Sequence, residues 1–191
     1  SCTKTNIKNE VESPISFSAE SGKLTRAIVQ DGTYLTTQPF GVFAYSHQKD
    51  DQGVVIAANT TKVMDTVQVA YIGTEWKSKV GSYYWPNDPN TSLDFYAYSP
   101  AINAVNLGVV NHQKMTVTQN SLEQVDNGAL SFEGYTHSNM YVDFMVATPV
   151  KGATYSNPDG DQNAPSVTSG KVPLSFHHQM TQVIFKVTTD K

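Results

Sequence analysis

The chain is written in short apolar–polar alternations broken every few residues by turn formers, and this pattern constrains the fold more than any other feature. Residues 39–46 place Phe40, Val42 and Ala44 on one side and Phe43 and Tyr45 on the other. Residues 63–72 carry Val63, Val67, Val69 and Tyr71 in alternation. Residues 93–98 set Leu93, Phe95 and Ala97 against Asp94, Tyr96 and Tyr98. Val172, Leu174 and Phe176 repeat the pattern, as do Val183, Phe185 and Val187, and shorter runs lie at 114–119 and 140–148. A period of two sends successive side chains to opposite faces of a strand; a helix would need a period of 3.6. No long stretch has apolar residues at i, i+3, i+4 and i+7. Between the runs lie Asp31-Gly32, Asp50-Asp51-Gln52-Gly53, Asn87-Asp88-Pro89-Asn90, Asp126-Asn127-Gly128 and Asn157-Pro158-Asp159-Gly160, residues that favour turns through side-chain bonds to the backbone or a positive φ. The expectation is an all-β, mainly antiparallel fold of about seven or more strands. Sandwich and barrel satisfy the pattern equally. Leu93, Phe95, Leu174, Phe176, Val183 and Phe185 should be buried, and residues 152–170 should form a polar surface excursion.

A chain of 191 residues can bury roughly 70% of its unfolded surface in one domain. No internal repeat or Pro/Gly linker divides it. The single cysteine, Cys2, excludes an intrachain disulfide and a cysteine zinc cluster. A net charge of −4 lacks the basic footprint of a nucleic-acid binder, and no apolar run reaches the ~18 residues of a spanning helix. Reaction chemistry is sparse. The histidines, His47, His112, His137, His177 and His178, have no metal-binding helical spacing, and adjacent rings in a strand point apart. Asp159-x-Asp161-x-Asn163 starts like a calcium loop, but Ala164 and Gly170 stand where the turn glycine and bidentate glutamate belong. No nucleophile elbow or phosphate loop occurs. We therefore expect no catalytic residue, no cofactor and no metal.

Three further features carry function. Tyr83-Tyr84-Trp85-Pro86, followed by Phe95-Tyr96-Ala97-Tyr98, reads either as ring faces offered to a sugar or as core filling with hydroxyls at the rim. Cys2 follows Ser1 and precedes a polar stretch, which reads either as a lipidated first cysteine on a tether of residues 1–12 or as an accidental free thiol on a frayed terminus. Arg26 is the chain's one arginine. It sits between Thr25 and Ala27, beyond a segment in which Ile15 and Phe17 alternate with Ser16 and Ser18. Either a single arginine is chance in a lysine-rich composition, or it is a unique cut point at which an arginine-specific protease would cut between Arg26 and Ala27 and release residues 1–26.

Taken together, several segments resemble the fimbrillin-like (Mfa-like) family of lipoprotein pilins and adhesins from gut and oral anaerobes. They are Ile15-Ser16-Phe17, Thr25-Arg26-Ala27, Tyr84-Trp85-Pro86, Leu93-Asp94-Phe95-Tyr96-Ala97-Tyr98-Ser99-Pro100, Asp143-Phe144-Met145-Val146-Ala147, and the run from Val172-Pro173-Leu174-Ser175-Phe176-His177-His178-Gln179-Met180-Thr181 through Gln182-Val183-Ile184-Phe185-Lys186-Val187. Their order spans nearly the whole chain. The resemblance implies a transthyretin-like Greek-key β-sandwich over residues 13–191. It also implies an outer-membrane lipoprotein precursor, cleavage at Arg26-Ala27, loss of a first strand within residues 13–26, and filling of the opened groove by a strand of another fimbrial subunit. Adhesion to a host or bacterial surface ligand, protein or glycan, belongs to the same picture. The family's usual second sandwich, which supplies the donor strand, is expected to be absent here. The alternative expectation is a carbohydrate-binding surface lipoprotein using Tyr83-Tyr84-Trp85.

Overall fold

The computed structural model describes residues 13–21, 32–101, 116–119, 130–133, 144–161 and 170–179. Cys2, Arg26, Ala27 and the apolar run 183–187 lie outside them. Among the described residues the chain forms β1 (Ser16–Ser21), α1 (Gly32–Thr37), β2 (Phe40–Gln48), a short 3-10 turn (Ala57–Asn59), β3 (Thr61–Ile72), β4 (Glu75–Ser78), β5 (Thr91–Ser99), β6 (Thr116–Gln119), β7 (Leu130–Glu133), β8 (Met145–Ala147), β9 (Val150–Ala153) and β10 (Lys171–His178). The all-β expectation holds. Among the described residues β6 and β7 pair only with each other.

The other eight strands join edge to edge as β2-β3-β4-β1-β10-β8-β5-β9, and β5 also pairs back onto β2. Seven strands thus close a ring of backbone hydrogen bonds, a barrel-like form of the sandwich, with β9 continuing along β5 beyond β8. All neighbours in the ring are antiparallel except β1 and β10, which run parallel. Closure matters because a ring leaves no open edge among its members.

Alternation decides what fills the ring. Ile15 and Phe17 from the first segment, Phe40, Val42 and Ala44 from β2, Leu93, Phe95 and Ala97 from β5, and Val172, Leu174 and Phe176 from β10 all point inward into one buried cluster. Leu35 of α1 joins it. The rings meet edge-on or tilted: Phe17 lies 6.2 Å from Phe40 and 5.8 Å from Phe95, and Phe40 lies 5.2 Å from Phe176 and 5.1 Å from Trp76. Such geometries match the charge distribution of aromatic rings.

β2 and β5 are also buried on their second face. Phe43, Tyr45, Tyr96 and Tyr98 form a separate aromatic cluster, with the Lys62 ammonium 5.8 Å from the Phe43 ring centre and 5.9 Å from that of Tyr45. Burial, and secondarily the negative charge of Asp65, push the Tyr45 phenol above its usual range. The tyrosines of this face therefore pack, where the sequence pattern placed their hydroxyls at a rim.

β3 carries one strained position. The β2–β3 register shifts between Val42 and Ala44, so β3 contributes an extra residue there, and Thr66 adopts φ 55°. A β-branched residue pays for left-handed backbone with about 1–3 kcal/mol of strain, whereas glycine accepts it and is favoured in such bulges. Thr66→Gly should raise stability by about 1 kcal/mol after allowing for glycine's extra unfolded freedom, or about 2–4 °C in Tm for a chain of this size. Calorimetry of the two proteins checks this. A lower Tm for the glycine variant would mean that the bulge is held by its threonine.

Candidate functional site

The feature that sets this fold apart is the place of its first strand. β1 lies between β10 and β4, so it closes the ring. Its sequence suits the position. Ile15 and Phe17 enter the core, while Ser16, Ser18 and Glu20 face outward. Phe17 is only 2% exposed and touches rings from β2 and β5.

The two sides of β1 are held unequally. Toward β10 the ladder comprises six residue pairs, from Ser16–Lys171 to Ser21–Phe176. Toward β4 there is a single pair, Phe17–Trp76. Ahead of it the chain turns to another segment: Ile15 N–H donates to the Tyr83 carbonyl at 2.7 Å, Trp85 N–H donates to the Ser13 carbonyl at 3.0 Å, and Pro14 bridges Tyr84. The divergence leaves a slot of about 350 Å³ between Pro14, Ile15 and Ser16 on one wall and Glu75, Lys77 and Ser78 on the other, with Gly81, Ser82 and Tyr83 beyond. On the outer surface the Lys171 ammonium lies 3.9 Å from a Glu75 carboxylate oxygen, spanning from β10 to β4 across the small serines of β1. Both ends are largely exposed, so this contact adds at most about 1 kcal/mol.

The aromatic segment does not form a sugar platform of three rings. Trp85 is only 4% exposed; its ring meets Phe95 at 5.9 Å and its Nε1–H donates to the Gly170 carbonyl at 3.2 Å. Tyr83 packs against the core, and only Tyr84, at 43% exposure, presents a large open face. Proline at 86 and the Asp88 turn explain the local shape. Asp88 accepts bonds from the Asn90 N–H, the Thr91 hydroxyl and the Gln48 amide, which hold its carboxyl below the usual carboxylate range, the backbone bond foremost.

A second polar cluster escaped the sequence pattern. His47 of β2 and Asp94 of β5 are both buried, with His47 Nε2 3.3 Å from Asp94 Oδ2. The approach is close enough for attraction but not aligned as a hydrogen bond. Asp94 Oδ1 accepts the Gly152 N–H at 2.7 Å, and His47 Nδ1 lies 3.2 Å from the Thr60 hydroxyl. An acid, an imidazole and a hydroxyl in sequence resemble a nucleophilic relay. Here, however, the carboxylate is committed to a backbone donor, and the group ties β2, β5 and β9 together. His177 bonds the Thr148 hydroxyl at 3.0 Å on the surface. Among the described residues no group of three or more His, Cys, Asp or Glu side chains could hold a metal ion.

Comparison with known proteins follows the same lines. The sequence model of a family described as fimbrillin-like matches residues 25–191. Two solved structures are similar. One is a fimbrial protein from Bacteroides vulgatus, at 20% identity and a TM-score of 0.50 over 85% of this chain and 45% of that one. The other is a fimbrial protein from Bacteroides ovatus, at 14% identity and a TM-score of 0.39 over 88% of this chain and 28% of that one. The chain thus spans less than half the length of either. No curated protein matches.

Proposed function

Because the chain belongs to the fimbrillin-like family, we propose that it is a structural subunit of a cell-surface fimbrium, assembled by replacement of β1. In this reading Cys2 carries the lipid that holds the precursor at the outer membrane, and residues 1–12 are its tether. A protease cuts between Arg26 and Ala27, residues 1–26 leave, and a strand of another subunit takes their place. The remainder of 13–191 stays folded as a transthyretin-like Greek-key sandwich.

One observation carries the proposal: β1 is the member of the ring that lies ahead of the cut, and its neighbours β4 and β10 both follow it. Its removal would open the ring, leaving two facing edges on β4 and β10 and an apolar groove where Ile15 and Phe17 lay. Burial of two such side chains is worth about 3–6 kcal/mol. An open groove of that kind is a template for strand addition. The fold shared with a fimbrial protein supports the same reading. The rival use of Tyr83-Tyr84-Trp85 as a carbohydrate site loses support because Trp85 is a core residue.

Replacement of Arg26 by alanine tests the proposal in cells. The variant should fold, remain uncut and form no fibres, read by mass analysis of the surface protein and by electron microscopy. Cutting at this position and fibre formation at normal levels would refute it.

A further inference from the structure

We propose that the incoming strand enters along the seam between β1 and β4, beginning in the slot beside Ser16, Lys77 and Ser82, and that its occupant is an extended segment of a second subunit with apolar residues at alternate positions. The inference rests on the strand-replacement reading and adds where replacement starts.

Three observations carry it. First, β1 is bound by six residue pairs to β10 but by one pair to β4. Even counting the Ile15–Tyr83 and Trp85–Ser13 backbone bonds ahead of that pair, the β4 side opens with fewer backbone contacts broken than the β10 ladder. Second, the slot begins where that single pair ends, and one wall is β4 itself, the strand a newcomer must join. The side chains there are small, Ser16, Ser78 and Ser82, so a backbone can approach closely. Third, Glu75 is already engaged by Lys171 at 3.9 Å and Lys77 is the other charge on the wall, so recognition of an extended segment falls to backbone pairing with β4 and to apolar alternation. A strand bonded to β4 in this slot can then displace β1 pair by pair. The groove under Ile15 and Phe17 is never empty, which is the state that would otherwise hold exchange back.

The test uses the full chain cut with an arginine-specific protease and supplies the incoming strand as a fluorescently labelled peptide of residues 13–21, following its uptake by fluorescence anisotropy and size-exclusion chromatography. Ser82→Trp and Lys77→Trp each fill the slot from a different segment, and Val80→Trp places the same ring at an exposed position outside its lining. Melting curves establish that each variant is folded. We expect both slot variants to take up the peptide at least tenfold more slowly than the parent and Val80→Trp to match it. If the parent takes up the peptide and both folded slot variants keep its rate, the strand enters elsewhere and this inference is overturned while strand replacement stands. If the cut parent takes up no peptide, β1 is not replaceable, strand replacement fails and the inference falls with it.

Discussion

Phe17→Ala is expected to lower the stability of the uncut protein by about 3–5 kcal/mol, the range for emptying a buried phenylalanine site. The ring is 2% exposed and stands edge-on to Phe40 and Phe95, so its loss removes contacts on two sides at once. Collapse of the site is restricted, because β2 and β5 are packed on both faces. Urea unfolding gives the measurement, with Ser18→Ala on the outward face as the control expected within about 0.5 kcal/mol of the parent. The same variant should release residues 1–26 faster once the chain is cut. Equal stability of the Phe17→Ala and Ser18→Ala proteins would show that β1 is an accessory to the ring and not a member of it.

Trp85→Ala should cost a comparable 3–5 kcal/mol. It removes the edge contact with Phe95 and leaves the Gly170 carbonyl without the indole donor. Gly170 has φ 55°, and a Cβ there would meet the Tyr155 ring at 2.6 Å and the Trp85 Nε1 at 3.2 Å. The indole thus closes a tight corner at the entrance to β10, the strand that holds β1. Tyr84→Ala, by contrast, should change stability by less than about 0.5 kcal/mol. A glycan site on these residues predicts the reverse for Trp85→Ala: unchanged stability with lost binding on a glycan array. That outcome would restore the carbohydrate reading.

Much of this architecture can be read from residue order because alternation is a local property. Phe40, Val42 and Ala44, and likewise Leu93, Phe95 and Ala97, reach the core as their spacing requires. Ile15 and Phe17 announce β1 by the same means. Its partner is not local. Nothing in six residues says that β1 runs parallel to β10, since the ladder joins segments about 150 residues apart. β4 escaped because Glu75-Trp76-Lys77-Ser78 offers only one apolar residue; its identity comes from the Gly73-Thr74 turn that folds it back on β3, with Gly73 at φ 71°. Burial of the second face of β2 and β5 was hidden by tyrosines, which suit a rim as well as a core. The His47–Asp94 contact joins residues far apart in the chain and has no motif. In the run 140–148 the described strand is only Met145–Ala147. Cys2, Arg26 and Ala27, which carry the proposed maturation, lie outside the residues that the structure describes.

The long-range parallel ladder also sets an order of events for the newly made chain. Ser16 pairs with Lys171, so the first strand has no β10 to join until nearly all of the described chain has been synthesised. At about 5–20 residues per second, that wait is on the order of ten seconds. Contacts so distant in sequence also form late once the chain is free, because loop closure must precede their gain. Hairpins such as β3–β4 can form early, but the barrel stays unlocked until the two ends of the fold meet. Among the described strands of the ring, β1 is therefore made first and seated last.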